Sequence, residues 1–487
     1  MLHWQPTLSS GTVKQLDRDF QQIERTLGYS LMKRASHHCV ELIQTHFNPH
    51  HCTVLCGGGN NGGDGWQIAA ELKETGRSVD VVTSVDPGSL MGDAKLAFEA
   101  ADNASVSWVS WSEGMAFHAD LLVDALIGVG FEPPLKPNLK KLFQDVIDSD
   151  LPVLAVDCPS GLNVDTGDAV NAIPAEVTAT FLSLKPGLLT GDGKVVAGQV
   201  VKYDLGCHAR FIEPYQRQAE LLVSVDPLPA RSTNHFKHQA GHVVVYGGAR
   251  QTAGAAILTA EAALFSGTGL ITLATDELGQ AAINARRPEI MVCRHEQLES
   301  IASVSVLALG PGLADDDHSP LTLCQQIACP AVLDAGALRL LATKPSFSKR
   351  WVLTPHTGEA AALLGESAAA VNADRMAAAK RIQRKFGGVV VLKGPGTIVC
   401  DADRCIINSS GNPALGVAGA GDILTGVIAA LQAQGLAPFE AAAAGVFWHG
   451  KAADQWRDNH GERGLSVSEL LALIRAHING VELGTCG

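Results

Sequence analysis

At 487 residues the chain is longer than one hydrophobic core usually supports, which predicts two domains. A composition of 46% hydrophobic and 18% charged residues is that of an ordinary globular protein and excludes a low-complexity one. The formal net charge of −13 repels phosphate backbones, so no nucleic-acid partner is expected.

The eleven cysteines contain no CxxC pair, and an odd number without a framework fits a reducing compartment. The opening MLHWQPTLSSGTVKQLDRDF lacks a basic start followed by an apolar stretch, and no run reaches the length of a membrane helix. A cytoplasmic chain with no membrane partner is the expectation.

In chain order, Thr12 to Thr45 is expected to be helical. Cys52–Cys56, Ser78–Thr83, Asp120–Ile127, Pro152–Val156 and Thr178–Leu184 read as strands, with helices such as Gly92–Ala101 and Leu139–Ile147 between them. This alternation predicts a parallel sheet with helices on both faces. Regularity fails near Glu213–Gln218, and Asp226-Pro227-Leu228-Pro229 reads as a linker, so the domains are placed at residues 1–217 and 218–487. The second half restarts with a strand over Gly241–Tyr246 that runs into Gly247-Gly248. Further strands are expected at Gly269–Thr275, Val304–Leu309, Ala331–Asp334, Trp351–Thr354, Gly388–Lys393 and Arg404–Asn408. Three helices close the chain: Asp422–Gln434, Pro438–Trp456 and Ser466–Ile478.

Residues 56–65 read CGGGNNGGDG, between a strand and a helix. Backbone N–H groups in such a turn can cradle an anion at the positive end of a helix. Asn60, Asn61 and Asp64 add polar side chains that could hold a ribose or a cation. Two more polar clusters end apolar runs: VDALIGVG at 123–130, with Asp124, and VDCPSGLNVDTG at 156–167, with Asp157, Ser160 and Asp165. In an open parallel sheet the carboxyl ends of strands meet at one crevice. Asn, Asp and Ser oxygens without Cys or His point to a hard cation. Read singly, the glycine turn, Asp124 and Asp157 could instead be a turn, a cap and a turn former.

In the second half, Gly419-Ala420-Gly421-Asp422 opens a helix and sets backbone donors beside a carboxylate. It is accompanied by Leu392-Lys393-Gly394-Pro395-Gly396-Thr397, Leu309-Gly310-Pro311-Gly312-Leu313, Leu333-Asp334-Ala335-Gly336 and Thr354-Pro355-His356-Thr357-Gly358-Glu359. His356 alone could equally be a helix-start histidine.

These motifs carry two resemblances. Residues 10–215 resemble the NAD(P)H-hydrate epimerase family, which implies a Rossmann-like three-layer α/β/α domain. They also imply interconversion of the R and S epimers of hydrated NADH or NADPH with a bound potassium ion. By motif, Asn60, Asn61, Gly62, Gly63 and Asp64 would contact the hydrate, as would Asp157. Gly128, Val129, Gly130, Phe131, Glu132, Pro133 and Pro134 would take its phosphate, although Glu132 is an unexpected charge there. Asn61, Asp124 and Ser160 would ligate potassium. Asp157 would move the proton, with Lys185 as its electrostatic partner.

Residues 228–480 resemble the ADP-dependent (S)-NAD(P)H-hydrate dehydratases, which implies a ribokinase-like α/β domain. Ala255, Gly312, His356 and Asp422 would contact the hydrate. Lys393, Gly394, Pro395, Gly396, Thr397, Asn412, Gly419 and Gly421 would contact the adenine nucleotide, with Mg2+ accompanying ADP. Asp422 would take the proton of the ring hydroxyl as it is phosphorylated, and loss of phosphate would restore the dihydronicotinamide. Ala420 stands where the family more often has a serine or threonine.

The two resemblances together imply a bifunctional enzyme, an isomerase and a lyase, that repairs hydrated NADH and NADPH, releases AMP and assembles as a homo-oligomer. One alternative is a ribokinase-like kinase for a vitamin precursor with an N-terminal ligand-binding domain, which leaves the first half idle. Another makes the first half a binding module, against which the acidic balance and Asp157 speak.

Overall fold

The computed structural model describes residues 1–24, 28–249, 251–301, 303–314, 322 and 329–481. The chain forms two compact units, one of Pro6–Ala219 and one of Met1–Gln5 with Glu220–Gly487. Among the described residues no helix is long and apolar enough to cross a membrane.

The strands are β1 (Leu2–Thr7), β2 (His51–Cys56), β3 (Ser78–Thr83), β4 (Ser107–Ser110), β5 (Leu121–Ala125), β6 (Val153–Val156), β7 (Val177–Phe181), β8 (Gln199–Tyr203) and β9 (Ala219–Val225). They continue with β10 (His242–Tyr246), β11 (Leu270–Ala274), β12 (Met291–Cys293), β13 (Val306–Leu309), β14 (Ala331–Leu333), β15 (Trp351–Leu353), β16 (Val389–Leu392), β17 (Ile398–Cys400) and β18 (Cys405–Asn408).

In the unit of Pro6–Ala219 a seven-stranded sheet runs β4-β3-β2-β5-β6-β7-β8. Every pairing in it is parallel. The order changes direction at β2 and β5, so the loops that follow these two strands leave the sheet side by side. Both strands are buried almost throughout, which explains why they read as unbroken apolar runs. The Thr12–Thr45 stretch forms helices Ser10–Glu24 and Gly28–Leu42 with a π turn at Ile43–Phe47.

The other unit holds an eleven-stranded sheet, β1-β9-β18-β17-β16-β15-β14-β13-β10-β11-β12. From β15 through β12 its neighbours are parallel, while β16-β17-β18 is an antiparallel meander. β9 lies between the irregular Glu213–Gln218 stretch and the Asp226–Pro229 connection and pairs in parallel with β18. Single-sequence pattern did not separate this strand from a linker. Helix Ala253–Phe265 and helix Ala420–Ala433 pack closely, because Gly426 approaches the Thr259 carbonyl so tightly that a Cβ there would lie 2.1 Å from its oxygen. This contact fixes the start of helix Ala420–Ala433, and with it Asp422.

Candidate active sites

In the unit of Pro6–Ala219, Cys56 ends β2 and Gly57-Gly58-Gly59 leads into helix Asn60–Glu74. Two of the glycines are demanded by contact. A Cβ on Gly57 would sit 1.9 Å from the Leu126 carbonyl oxygen, and one on Gly62 would sit 1.9 Å from the Gly57 carbonyl oxygen. The turn after β2 thus lies directly on the loop after β5. A cavity of about 570 Å³ opens there, lined among others by Asn60, Asn61, Asp64, Gly128, Gly130 and Asp157. Val129 also lines it. Phe131, Glu132, Pro133 and Pro134 are not among its lining residues, and Glu132, Pro133 and Pro134 are exposed. Gly63 packs on Met32 and Ala94.

Asp157 follows β6 with a positive φ of 65°, an unusual conformation that turns its carboxylate into the cavity. Lys185 is fully buried. Its ammonium donates to Asp157 Oδ1, to Thr180 Oγ1 at 2.8 Å and to the Phe181 carbonyl at 3.0 Å. Phe181 N–H donates to the same Asp157 oxygen at 3.2 Å. Burial raises Asp64 well above the usual carboxylate range, and the neighbouring charges of Asp157 and Asp17 push it the same way.

Asp124 is the last residue but one of β5 and is fully buried. It accepts from Ser160 Oγ at 2.6 Å, Ser160 N–H at 2.8 Å and Leu126 N–H at 3.2 Å. Burial pushes its pKa up to about 6 against those hydrogen bonds. Asn61 packs against Gly128, and its buried Nδ2 has no hydrogen-bond partner. The oxygens of Asp124, Ser160 and the Asn61 side chain are hard ligands of the kind a monovalent cation takes, whereas the unpartnered Asn61 Nδ2 is a donor and cannot be one of them. No group of three or more His, Cys, Asp or Glu among the described residues offers a transition-metal site.

The second site is built on the loops after β14, β15 and β16 and the start of helix Ala420–Ala433. Lys393 donates to Asp334 Oδ1 at 2.9 Å, and Thr425 Oγ1 donates to Asp334 Oδ2 at 3.0 Å. Burial works to raise Asp334, but the Lys393 ammonium and the hydrogen bonds outweigh it and hold the carboxyl below its usual range. A Cβ on Gly421 would be 3.1 Å from Lys393 Nζ, so the turn before the helix rests on this pair. Gly419 begins the helix with φ 93°. Asp422, three residues on, has its pKa pushed up to about 6 by burial and then by the Asp334 charge.

Thr259 gathers further expected contacts. Its hydroxyl meets the Ala255 carbonyl at 3.0 Å and the Asp422 carbonyl at 3.0 Å. Thr252 in turn donates to the Gly312 carbonyl at 2.7 Å. Ala255 and Asp422 are therefore joined through Thr259, and Gly312 is held at the start of the same helix. His356 caps helix Thr357–Leu364: its Nδ1 accepts from Gly358 N–H at 3.0 Å and Glu359 N–H at 3.3 Å. Its side chain stays mostly exposed, so the helix-start reading is realised without closing the ring to a ligand.

Several contributors carry no local signature in the sequence. Arg375 is fully buried and donates to the Leu392 carbonyl at 3.2 Å, the Lys393 carbonyl at 2.9 Å and Thr357 Oγ1 at 3.2 Å. A Cβ on Gly394 would strike its guanidinium at 2.8 Å, so Lys393–Thr397 is moulded around it. Thr397 Oγ1 donates back to the Gly394 carbonyl at 3.0 Å and closes that turn. Asp454 accepts from Gly411 N–H at 3.1 Å and from the Asn412 amide at 2.9 Å. Spacing along the chain could not reveal these, since Arg375 and Asp454 reach the site from helices 18 and 42 residues removed from their partners.

A family model described as YjeF-related protein N-terminus matches residues 28–187, and one described as NAD(P)H-hydrate dehydratase matches residues 243–475. The bifunctional NAD(P)H-hydrate repair enzyme Nnr of Escherichia coli is 38% identical over 93% of this chain and 90% of its own. That of Coxiella burnetii is 36% identical over 96% of this chain and 100% of its own. A solved structure, the ADP/ATP-dependent NAD(P)H-hydrate dehydratase of Bacillus subtilis co-crystallised with ATP/Mg2+, is 30% identical over 51% of this chain and 92% of its own, with a TM-score of 0.48. By its likeness to the repair enzymes over nearly its whole length, the chain belongs to the bifunctional NAD(P)H-hydrate repair enzyme family.

Proposed function

We propose that residues 6–219 interconvert the R and S epimers of hydrated NADH and NADPH, and that residues 220–487 return the S epimer to NADH or NADPH at the expense of ADP. The observation that carries this reading is that each unit has its own glycine turn, beside its own carboxylate–lysine pair: Asp157 with Lys185, and Asp334 with Lys393.

In the first unit the Asp157 carboxylate accepts the hydroxyl proton as the ring C–N bond breaks with its electron pair going to nitrogen, and returns it on closure, or its protonated form gives the proton to the hydroxyl, which leaves as water, and takes one back as water re-adds. The Lys185 ammonium offsets the charge that stays behind. Asn61, Asp124 and Ser160 would hold potassium, which would tie the loops after β5 and β6 together beside the hydrate. Asn60 and Asp64 contact the hydrate.

In the second unit Asp422 takes the hydroxyl proton as the oxygen attacks the terminal phosphoryl group. A carboxyl poised at about 6 is largely ionised at neutral pH and is still a useful base. N–H groups of Gly419–Gly421 and the Lys393 ammonium stabilise the charge that develops on the phosphoryl oxygens. Mg2+, when bound with ADP, shields the phosphates. Phosphate then leaves from the ring, where hydroxide would leave poorly. Lys393–Thr397 and Asn412 receive the adenine nucleotide, while Ala255, Gly312 and His356 receive the hydrate.

The kinase reading uses only the second unit and ends on a phosphorylated product. Incubation with the mixed epimers of hydrated NADPH separates the two. Full return of dihydronicotinamide absorbance with ADP, from both epimers, supports repair; a stable phosphorylated product refutes it. A homo-oligomer in the cytoplasm accompanies this proposal and is checked by light scattering and cell fractionation.

A further inference from the structure

The cavity of the first unit has an electrostatic imbalance. Its lining includes the acidic side chains of Asp17, Asp64, Asp93 and Asp157, of which Asp157 is paired with Lys185 and Asp64 is held well above the usual carboxylate range. Among the described residues that line it, Lys14 alone carries a positive charge. A hydrated dinucleotide brings a diphosphate to this space, and an anion settling beside acidic side chains needs a cation at that place.

The position of Lys14 is built rather than incidental. Helix Ser10–Glu24 presents Val13, Lys14, Asp17 and Gln21 to the cavity. The helix start is clamped by Asp165, whose two oxygens accept from Ser10 N–H at 2.6 Å and from Ser10 Oγ at 2.7 Å. A carboxylate at a helix N-terminus satisfies free N–H groups and is favoured by the helix dipole. Asp165 is held in turn through its N–H on Asn163 Oδ1 at 3.0 Å and its carbonyl on Gln218 Nε2 at 3.0 Å. With the helix so anchored, the Lys14 ammonium comes within 3.9 Å of where a Cβ on Gly130 would be. Gly130 belongs to the loop that the resemblance gives to phosphate, a loop whose own side chains include Glu132 and no cation.

We propose that Lys14 is the diphosphate anchor of the first site, and that Asp165 is the positioning residue that holds its helix in place. The assignment rests on the reading of this cavity as a hydrated-dinucleotide site.

The test uses the full chain. Titration of hydrated NADPH and hydrated NADH without ADP reads binding, and epimer exchange reads turnover. Loss of one charge-assisted hydrogen bond weakens one binding event roughly tenfold. Lys14→Gln should therefore raise Kd and KM of the first site about tenfold for both hydrates, with kcat within about twofold, and Lys14→Arg should restore most of the loss. Asp165→Asn should shift KM in the same direction, while ADP-driven dehydration of the S epimer stays unchanged and reports an intact second unit. Unchanged binding in Lys14→Gln overturns the anchor. A loss confined to hydrated NADPH also overturns it, since that would mark a 2′-phosphate contact. Unchanged KM in Asp165→Asn overturns the clamp. A wild-type chain that binds the hydrates without exchanging epimers defeats the functional reading, and the binding titration of Lys14→Gln still decides this one.

Discussion

Lys393 reaches across the second site to Asp334 at 2.9 Å, and this pair sets the electrical environment of Asp422. Asp334 repels charge on Asp422 and Lys393 attracts it, with burial the larger influence. Two aspartates within one field thus end up with opposite shifts, Asp334 lowered and Asp422 raised. Only the raised one is suited to exchange a proton near neutral pH.

The rate of ADP-driven dehydration should therefore rise with pH through about 6 and level off above it, because the base must be ionised. Asp422→Asn should lower the plateau about a thousandfold and leave epimer exchange intact. Recovery of dihydronicotinamide absorbance and chromatography of the two epimers measure the two activities. Loss of both activities would contradict separate sites.

Lys185→Met should reduce epimer exchange about a hundredfold or more, because a buried ammonium that donates to Asp157 is replaced by a side chain without a donor. Dehydration of pure S epimer should be unaffected. Equal loss in both assays would mean that the substitution disrupts the whole chain.

Exchange of potassium for N-methylglucamine should slow epimerisation at least tenfold without slowing dehydration of the S epimer. Asp124→Asn should make the residual epimerisation insensitive to potassium, since it removes the one charged oxygen donor of the Asn61–Asp124–Ser160 set. A potassium response that persists in this variant would place the ion elsewhere.

Asp454→Ala should raise KM for ADP about tenfold with kcat little changed. The substitution deprives Gly411 N–H and the Asn412 amide of their acceptor and so loosens the loop expected to receive the nucleotide. Initial rates against ADP concentration decide it; an unaltered KM would remove Asp454 from nucleotide binding.

His449 is buried, with its Nε2 unpartnered, and its pKa is lowered to about 4 by burial and then by Lys393. As pH falls below 6.5 the unfolded chain takes up this proton before the folded one does. The contribution of this group to stability is therefore whole above 6.5, declines toward pH 4 and is flat below. The loss should be about 3 kcal/mol at pH 4. Asp422, raised to about 6, acts in the opposite sense over the same range, so the His449 share is read as the difference in denaturant unfolding between the wild-type chain and His449→Phe at pH 4 and pH 7; no difference would remove it.

Much of this protein can be read along the chain. The parallel strands are buried on both faces and therefore spell continuous apolar runs, as in β2, β5, β10 and β16. The glycine turns are equally visible, because positions such as Gly57 and Gly62 face backbone oxygens at distances no Cβ can occupy. Their order along the chain is enough to identify both halves. β9 was not separable from a linker, since its place at the sheet depends on a partner, β18, that lies far along the sequence.

What the tertiary structure alone decided is the set of distant groups that hold those motifs in working position. Arg375 behind Lys393–Thr397, Asp454 under Asn412, Thr259 between Ala255 and Asp422, and Asp165 at the head of the Lys14 helix act through contacts between segments far apart in sequence. Such partners obey no local spacing. Turns and strands are dictated by backbone sterics and solvent exclusion within a few residues, whereas the pairing of buried polar groups is decided by whichever donors and acceptors the fold brings together.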